Sequence, residues 1–330
     1  MINRLISMAL ANRLLTLVLV LALTGGGVYS VLKVPIDSFP DVTPSMVQIY
    51  TSSPGLSPVD VETQVSYPIE ISMYGLPGLD RVQSTSIFGL SRVSVYFEDG
   101  TDIYFARRLV MERLAAAREE IPDGLGDPQL GPITSGLGQV FLYEIRNEEG
   151  AKHSLMERRT AQDWIAKPML RTVPGVTGVL SIGGQQKQYQ VRLDQNAMVA
   201  RDITVADVRS AIVANNRNVG ASFINRGGEE YVVRGYGWID PGKQGLQDIR
   251  RIQVKRGANG EPVHLDDIAE VGYGPSIRRG TLVANGEESV GGYVLKLIGS
   301  NTQQVLAAIE ERVTSIQAAL PDGMTLKPFY

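Results

Sequence analysis

The residues that could do chemistry are few and poorly grouped. Histidine occurs only at His153 and His264, each in loop or strand-edge surroundings, and the two do not form a ligand pair. Cysteine is absent, which removes disulfides, thiolate zinc sites and a thiol nucleophile. Adjacent acids at Glu119-Glu120, Glu148-Glu149, Glu229-Glu230, Asp266-Asp267 and Glu287-Glu288 mostly flank turns, where solvated carboxylates are expected, and no DxDxDG calcium loop occurs. The nine methionines follow no short repeated spacing, so no thioether ladder for Cu(I) is visible. Gly25-Gly26-Gly27 lies inside an apolar run and not after a strand, which suits close helix packing in lipid better than a phosphate cradle. The sequence therefore predicts no catalytic residue, no metal ligand and no cofactor. With 32 basic and 35 acidic residues among 330, a net charge of −3 also speaks against nucleic acid as a partner.

The elements that would carry a function are more informative. Leu14 to Leu32 is uncharged and at about 1.5 Å per residue spans roughly 28 Å, close to a hydrocarbon core of about 30 Å. Arg4 and Arg13 precede it and no acid occurs before Asp37, so an uncleaved anchor would have a cytoplasmic N-terminus and its bulk outside. A cleavable signal peptide is the competing reading, although no small-x-small site is convincing between Gly27 and Lys33. Pro35-Ile36-Asp37-Ser38-Phe39-Pro40-Asp41 then breaks the helix.

Beyond it, strands near 45–52, 79–87, 92–98 and 127–134 and helices near 58–73 and 101–120 give the order βαββαβ. That order recurs. Ser57-Pro58-Val59-Asp60 and Pro77-Gly78 have counterparts 97 residues later in Ser154-Leu155-Met156-Glu157 and Pro174-Gly175. The stripe Ala106, Val110, Leu114, Ala117 and Ile121 matches Val305, Ile309, Val313, Ile316 and Leu320 at an offset of 199, as Pro122-Asp123-Gly124 matches Pro321-Asp322-Gly323. The offset grows by 102 between the halves of the second copy. Two copies of one unit are expected, the second interrupted by an insert long enough to need its own core. Within the insert, strands are predicted at 186–193, 251–256, 262–265 and 268–273, and a helix at 204–215. A hairpin turns at Arg226-Gly227-Gly228, either an arm reaching a neighbouring subunit or an ordinary surface hairpin.

Several segments resemble one family. They are Ala11-Asn12-Arg13, Val34-Pro35-Ile36-Asp37, Tyr67-Pro68-Ile69-Glu70, Gly75-Leu76-Pro77-Gly78, Asp99-Gly100-Thr101-Asp102, Tyr104-Phe105-Ala106-Arg107, Leu130-Gly131-Pro132, Gly136-Leu137-Gly138, Gln162-Asp163-Trp164 and Asn218-Val219-Gly220. Together they resemble the N-terminal third of heavy-metal efflux RND (resistance-nodulation-division) transporters, most closely the cobalt–zinc–cadmium type. The resemblance implies an α+β fold: a transmembrane helix (1–37) and two ferredoxin-like βαββαβ porter subdomains. The first would be 38–134. The second, 135–181 plus 274–330, would be interrupted by an α+β docking insert (182–273) with Arg226, Gly227 and Gly228 at its hairpin tip.

By the same resemblance the protein is no enzyme but a proton-driven exporter of divalent ions such as zinc, cobalt or cadmium. It would sit in the lipid of the bacterial inner membrane as a homotrimer, with a periplasmic adaptor (membrane fusion) protein and an outer-membrane channel as partners. Gln83, where copper- and silver-type members tend to carry Arg, favours a divalent ion. The family's proton-relay carboxylates and most of its metal cleft fall beyond residue 330. The chain is thus expected to be a fragment or a truncated frame that cannot transport alone. A stand-alone anchored periplasmic module for binding or assembly is the alternative.

Overall fold

The computed structural model describes residues 9–33, 43–240, 242–257, 260–278 and 280–329. In it the uncharged run is one helix, α1 (Arg13–Lys33). Its leucines and valines from Leu14 to Val31 are exposed, and among the described residues it is the one helix long and apolar enough to cross a membrane. Arg4 and the helix-breaking segment from Pro35 to Asp41 lie outside the described residues.

The chain forms two compact units. One gathers the chain up to Ala151, Ala161–Ile182 and the part from Val290 onward; the other takes Lys152–Thr160 and Gly183–Ser289. The first unit opens with β1 (Met46–Ser52), helix α2 (58–73), β2 (Leu79–Ile87), β3 (Leu90–Phe97), α3 (Ile103–Glu120) and β4 (Gln129–Leu130). Their sheet runs β2-β3-β1-β4. Period-two alternation turns Val47 and Ile49 of β1 and Val93, Val95 and Phe97 of β3 inward. Ala106, Val110, Leu114 and Ala117 of α3 and Ile69 and Met73 of α2 complete that core. α3 starts where the Asp102 carboxylate accepts the amides of Tyr104 and Phe105, a cap stabilising a helix by about 1 kcal/mol. β4 is shorter than the sequence predicts because Pro128 and Pro132 flank it, and a proline has no amide to give a ladder.

β5 (Gln139–Asn147), helix α4 (155–171) and β6 (Val176–Gly183) follow, and after the second unit's residues the chain returns as β14 (Glu287–Lys296), α8 (Thr302–Ala319) and β15 (Met324–Pro328). Here β14 lies between β6 and β5, with β15 outermost on β5. The strand order β6-β14-β5-β15 therefore repeats β2-β3-β1-β4. Val305, Ile309 and Ile316 of α8 and Leu320 just past its end are buried with Tyr143, Ile145 and Leu170, and Val313 is partly buried beside them. The stripe matched at 199 residues thus faces a core in both copies.

Both first helices also contain a π turn, Glu62–Ser66 in α2 and Gln162–Ala166 in α4, each followed after one residue by Pro68 or Pro168. The capping serines are 97 residues apart, whereas the turns and prolines are 100 apart. The wide turn therefore tracks the proline, not the cap. A proline inside a helix lacks an amide and presses on a preceding carbonyl, and i→i−5 bonds such as Tyr67 N–H to Glu62 O open the turn to admit it.

In the second unit β7 (Lys187–Leu193) pairs antiparallel with β12 (Ala269–Pro275). Around them stand α5 (Gln195–Ala200), α6 (Val205–Ala214), α7 (Lys243–Arg250) and the pair β10 (Gln253–Arg256) and β11 (Pro262–His264). Met198, Ile203, Val208, Ile249, Leu265, Ile268 and Val271 form a separate core. α5 and α7 escape the sequence reading because six and eight residues are too few to establish a 3.6-residue period. β8 (Val219–Arg226) and β9 (Glu229–Gly235) make a two-stranded hairpin, and β13 (Leu282–Ala284) pairs with the start of β14.

Candidate functional site

The β8–β9 hairpin places Arg226, Gly227 and Gly228 at its end. Arg226 pairs with Glu229 across the last rung, so Gly227 and Gly228 alone close the turn, with φ of 66° and 86°. Two successive positive φ angles are what a two-residue hairpin of this hand needs, and glycine adopts them without strain. Below the tip, Phe223 (55% exposed) opposes Val232 (79%) and Ile224 (58%) opposes Tyr231 (52%). These pairs lie on opposite faces of the ribbon. A hairpin that is apolar on both faces and covered on neither is marginal in water by itself, so it has the make-up of an arm that enters another protein surface.

The arm leaves its unit through a neck where two stretches of chain, around Asn216–Asn218 and Gly237–Ile239, lie side by side. The Asn218 side-chain oxygen accepts the Gly237 amide at 3.1 Å, and that of Asn216 accepts the Ile239 amide at 3.4 Å. Gly237 passes so close to the Arg217 carbonyl that any Cβ would strike it. Asn218 belongs to the motif Asn218-Val219-Gly220, yet its role as a neck clamp is invisible in sequence because its partner is nineteen residues away.

Several other motif residues shape the fold. Gln162 is fully buried at the Tyr143 hydroxyl, and Ser181 donates to Asp163 at 2.6 Å. Burial pushes the Tyr143 phenol well above its ordinary range, against a smaller lowering effect of the Gln162 side chain. Gly292 makes room for this group: a Cβ there would meet Tyr143 Oη at 2.7 Å and Gln162 Nε2 at 2.8 Å. Arg107 donates to the Gly131 carbonyl, tying α3 to the segment after β4. His264 closes a short 3₁₀ turn with Asp267, and His153 lies near Glu157. Among the described residues, no three His, Cys, Asp or Glu side chains stand close enough to hold a metal ion.

An apolar helix ahead of two like α+β units, with a third body inserted in the second, defines a class of protein, and comparison with known proteins names it. Residues 5–330 match the AcrB/AcrD/AcrF family, and the chain belongs to that family. It is 42% identical, over its whole length, to the cation efflux system protein CzcA of Alcaligenes sp. (strain CT14), and 39% identical to the cation efflux system protein CusA of Escherichia coli (strain K12). It spans 31% of the length of each relative. Its fold matches the X-ray crystal structure of a heavy metal efflux pump (crystal form I) with a TM-score of 0.84 and 28% identity, over 98% of this chain and 32% of that one.

Proposed function

We propose that the chain is the N-terminal portion of a proton-driven efflux pump for divalent heavy-metal cations such as zinc, cobalt or cadmium. The observation that carries this reading is similarity along the whole chain, at once in sequence to a cation efflux protein and in fold to a heavy metal efflux pump. On this reading α1 anchors the chain in the inner membrane, with Arg13 at its cytoplasmic end, as the positive-inside rule favours. The copies at 38–134 and 135–181 plus 274–330 act as ferredoxin-like porter subdomains, and 182–273 as the docking insert. A periplasmic adaptor and an outer-membrane channel complete the path. No metal ligand is assigned in this chain, and cargo is bound and driven by parts of the pump outside it.

The homotrimer is supported by an internal comparison. On α3, Tyr104, Phe105 and Met111 are exposed, as are Tyr67 and Ile71 on α2 and Tyr74 just past its end. The residues 199 positions later on α8 are Gln303, Gln304 and Glu310, also exposed. At these matched positions the outer face of α8 is polar and that of α3 is apolar, as expected if this face of the first copy meets a neighbour. The arm, apolar on both faces, supplies a second contact.

Cells in which the protein is disrupted should lose tolerance to zinc, cobalt or cadmium. Unchanged tolerance to all three would remove the pump reading. Vesicles holding only residues 1–330 should move no zinc under an imposed proton gradient.

A further inference from the structure

We propose that Tyr189 positions the arm, its phenol tying the arm's returning strand to the body of the second unit. The arm needs such a tie. Among the described residues, none from Val219 to Tyr236 belongs to a buried cluster, so the arm is held only at its root. Eight residues of β8 at about 3.3 Å each make it roughly 26 Å long, so a turn of about 10° at the root carries the tip by about 4–5 Å.

At the root, three amides of the returning strand are taken by side chains. Gly237 donates to Asn218 and Ile239 to Asn216, and both acceptors lie on the arm's own outgoing stretch. These two bonds join the arm's strands to each other and do not fix them to the unit. The Gly242 amide donates instead to Tyr189 Oη at 3.2 Å. The phenol's own hydrogen is directed at the Asp240 and Gly242 carbonyls, each 3.4 Å away. Tyr189 belongs to β7, so this third acceptor comes from the body of the unit.

Tyr189 is itself braced. It pairs with Tyr273 across β7 and β12, the ring centres lie 5.3 Å apart, and Lys187 Nζ stands 3.9 Å from the centre of the Tyr273 ring. Such contacts favour one orientation of the ring. Gly245, in the first turn of α7, leaves the phenol its place: a Cβ there would come within 2.9 Å of Tyr189 Oη and strike the Asp240 carbonyl. The consequence for assembly rests on the proposed trimer. There, an arm held at one angle presents Phe223, Ile224, Tyr231 and Val232 to a neighbouring subunit without first having to be ordered.

The chain has no cysteine, so Val199→Cys on α5 and Glu230→Cys on the arm, both exposed positions, can carry a pair of spin labels. Double electron–electron resonance is measured on the full protein in detergent, diluted with unlabelled protein so that only pairs within one chain count. Tyr189→Phe keeps the ring against Tyr273 and removes the tie. It should widen the distance distribution at least about twofold while the thermal midpoint moves by less than about 2 °C. Tyr231→Phe, which removes an arm phenol bonded to Glu229, should leave the width unchanged. An unchanged width in Tyr189→Phe, or equal widening in Tyr231→Phe, would overturn the proposal. The trimer fraction of the same samples separates the pin from the assembly reading. A fall alongside the widening supports both, whereas a widened arm with an undiminished trimer upholds the pin and removes the arm from the trimer contact.

Discussion

At the scale of single residues, glycines do much of the specifying, and for two different reasons. Gly292 is required by space: its would-be Cβ lies 2.9 Å from the Leu180 carbonyl as well as against Tyr143 and Gln162. Gly292→Ala should therefore lower the unfolding free energy by about 1–3 kcal/mol. Gly272→Ala, a position with nothing within 4 Å of the added carbon, should change it by no more than about 0.5 kcal/mol. Equal effects in denaturant titrations would show that the Tyr143 pocket is looser than its distances. Gly227 and Gly228 are required by backbone angle instead, since open space surrounds both. Gly227→Asn should keep amide-exchange protection along Ile224 to Val232, because asparagine tolerates positive φ, and Gly228→Val should lose it.

At the scale of elements, helix starts bring acid sensitivity. The Glu157 carboxylate accepts the Ser154 amide, and Asp207 takes the Thr204 hydroxyl and amide. These bonds hold both carboxylates below their ordinary range, the Ser154 amide being the largest cause for Glu157 and the Thr204 hydroxyl for Asp207. A depressed folded pKa adds stability that is present above the unfolded value and lost as pH falls through the folded one. Acid titration should thus weaken α4 and α6 below the ordinary carboxylate range, and Glu157→Gln with Asp207→Asn should flatten that part of the stability–pH curve. Both groups are exposed, so added salt should shrink the effect. A pH profile unchanged by the double variant would assign acid sensitivity to other groups.

At the scale of the molecule, duplication supplies its own control surface. If the outer face of α3 meets a neighbour, Tyr104→Lys with Met111→Lys should cut the trimer fraction of detergent-solubilised protein severalfold, while Gln303→Lys with Glu310→Lys should leave it unchanged. Equal loss from both pairs, read by mass photometry, would remove the internal comparison as support for a trimer. Deleting the arm between Asn218 and Gly237 should spare all three cores, because no arm residue belongs to any of the buried clusters.

Much was legible in sequence, for one physical reason: burial imposes a period. The α3 and α8 stripes 199 residues apart, the apolar run of α1, the Ser57 and Ser154 segments 97 residues apart and the Gly227-Gly228 turn are local patterns whose chemistry acts within one or two helical turns. Tertiary structure decided what depends on partners distant in the chain. The neck needs Asn218 beside Gly237, the buried tyrosine needs Gln162 and Gly292, and the π turns appear only where Pro68 and Pro168 meet helices already fixed by packing. Arg107 stood in a recognised motif, yet its bond to the Gly131 carbonyl, twenty-four residues further on, exists only in the folded chain. Sequence by itself determined the anchor-length helix, the two copies and the interrupted second one, because each follows from local periodicity and repetition. Which side chains stay uncovered was decided only when distant segments packed.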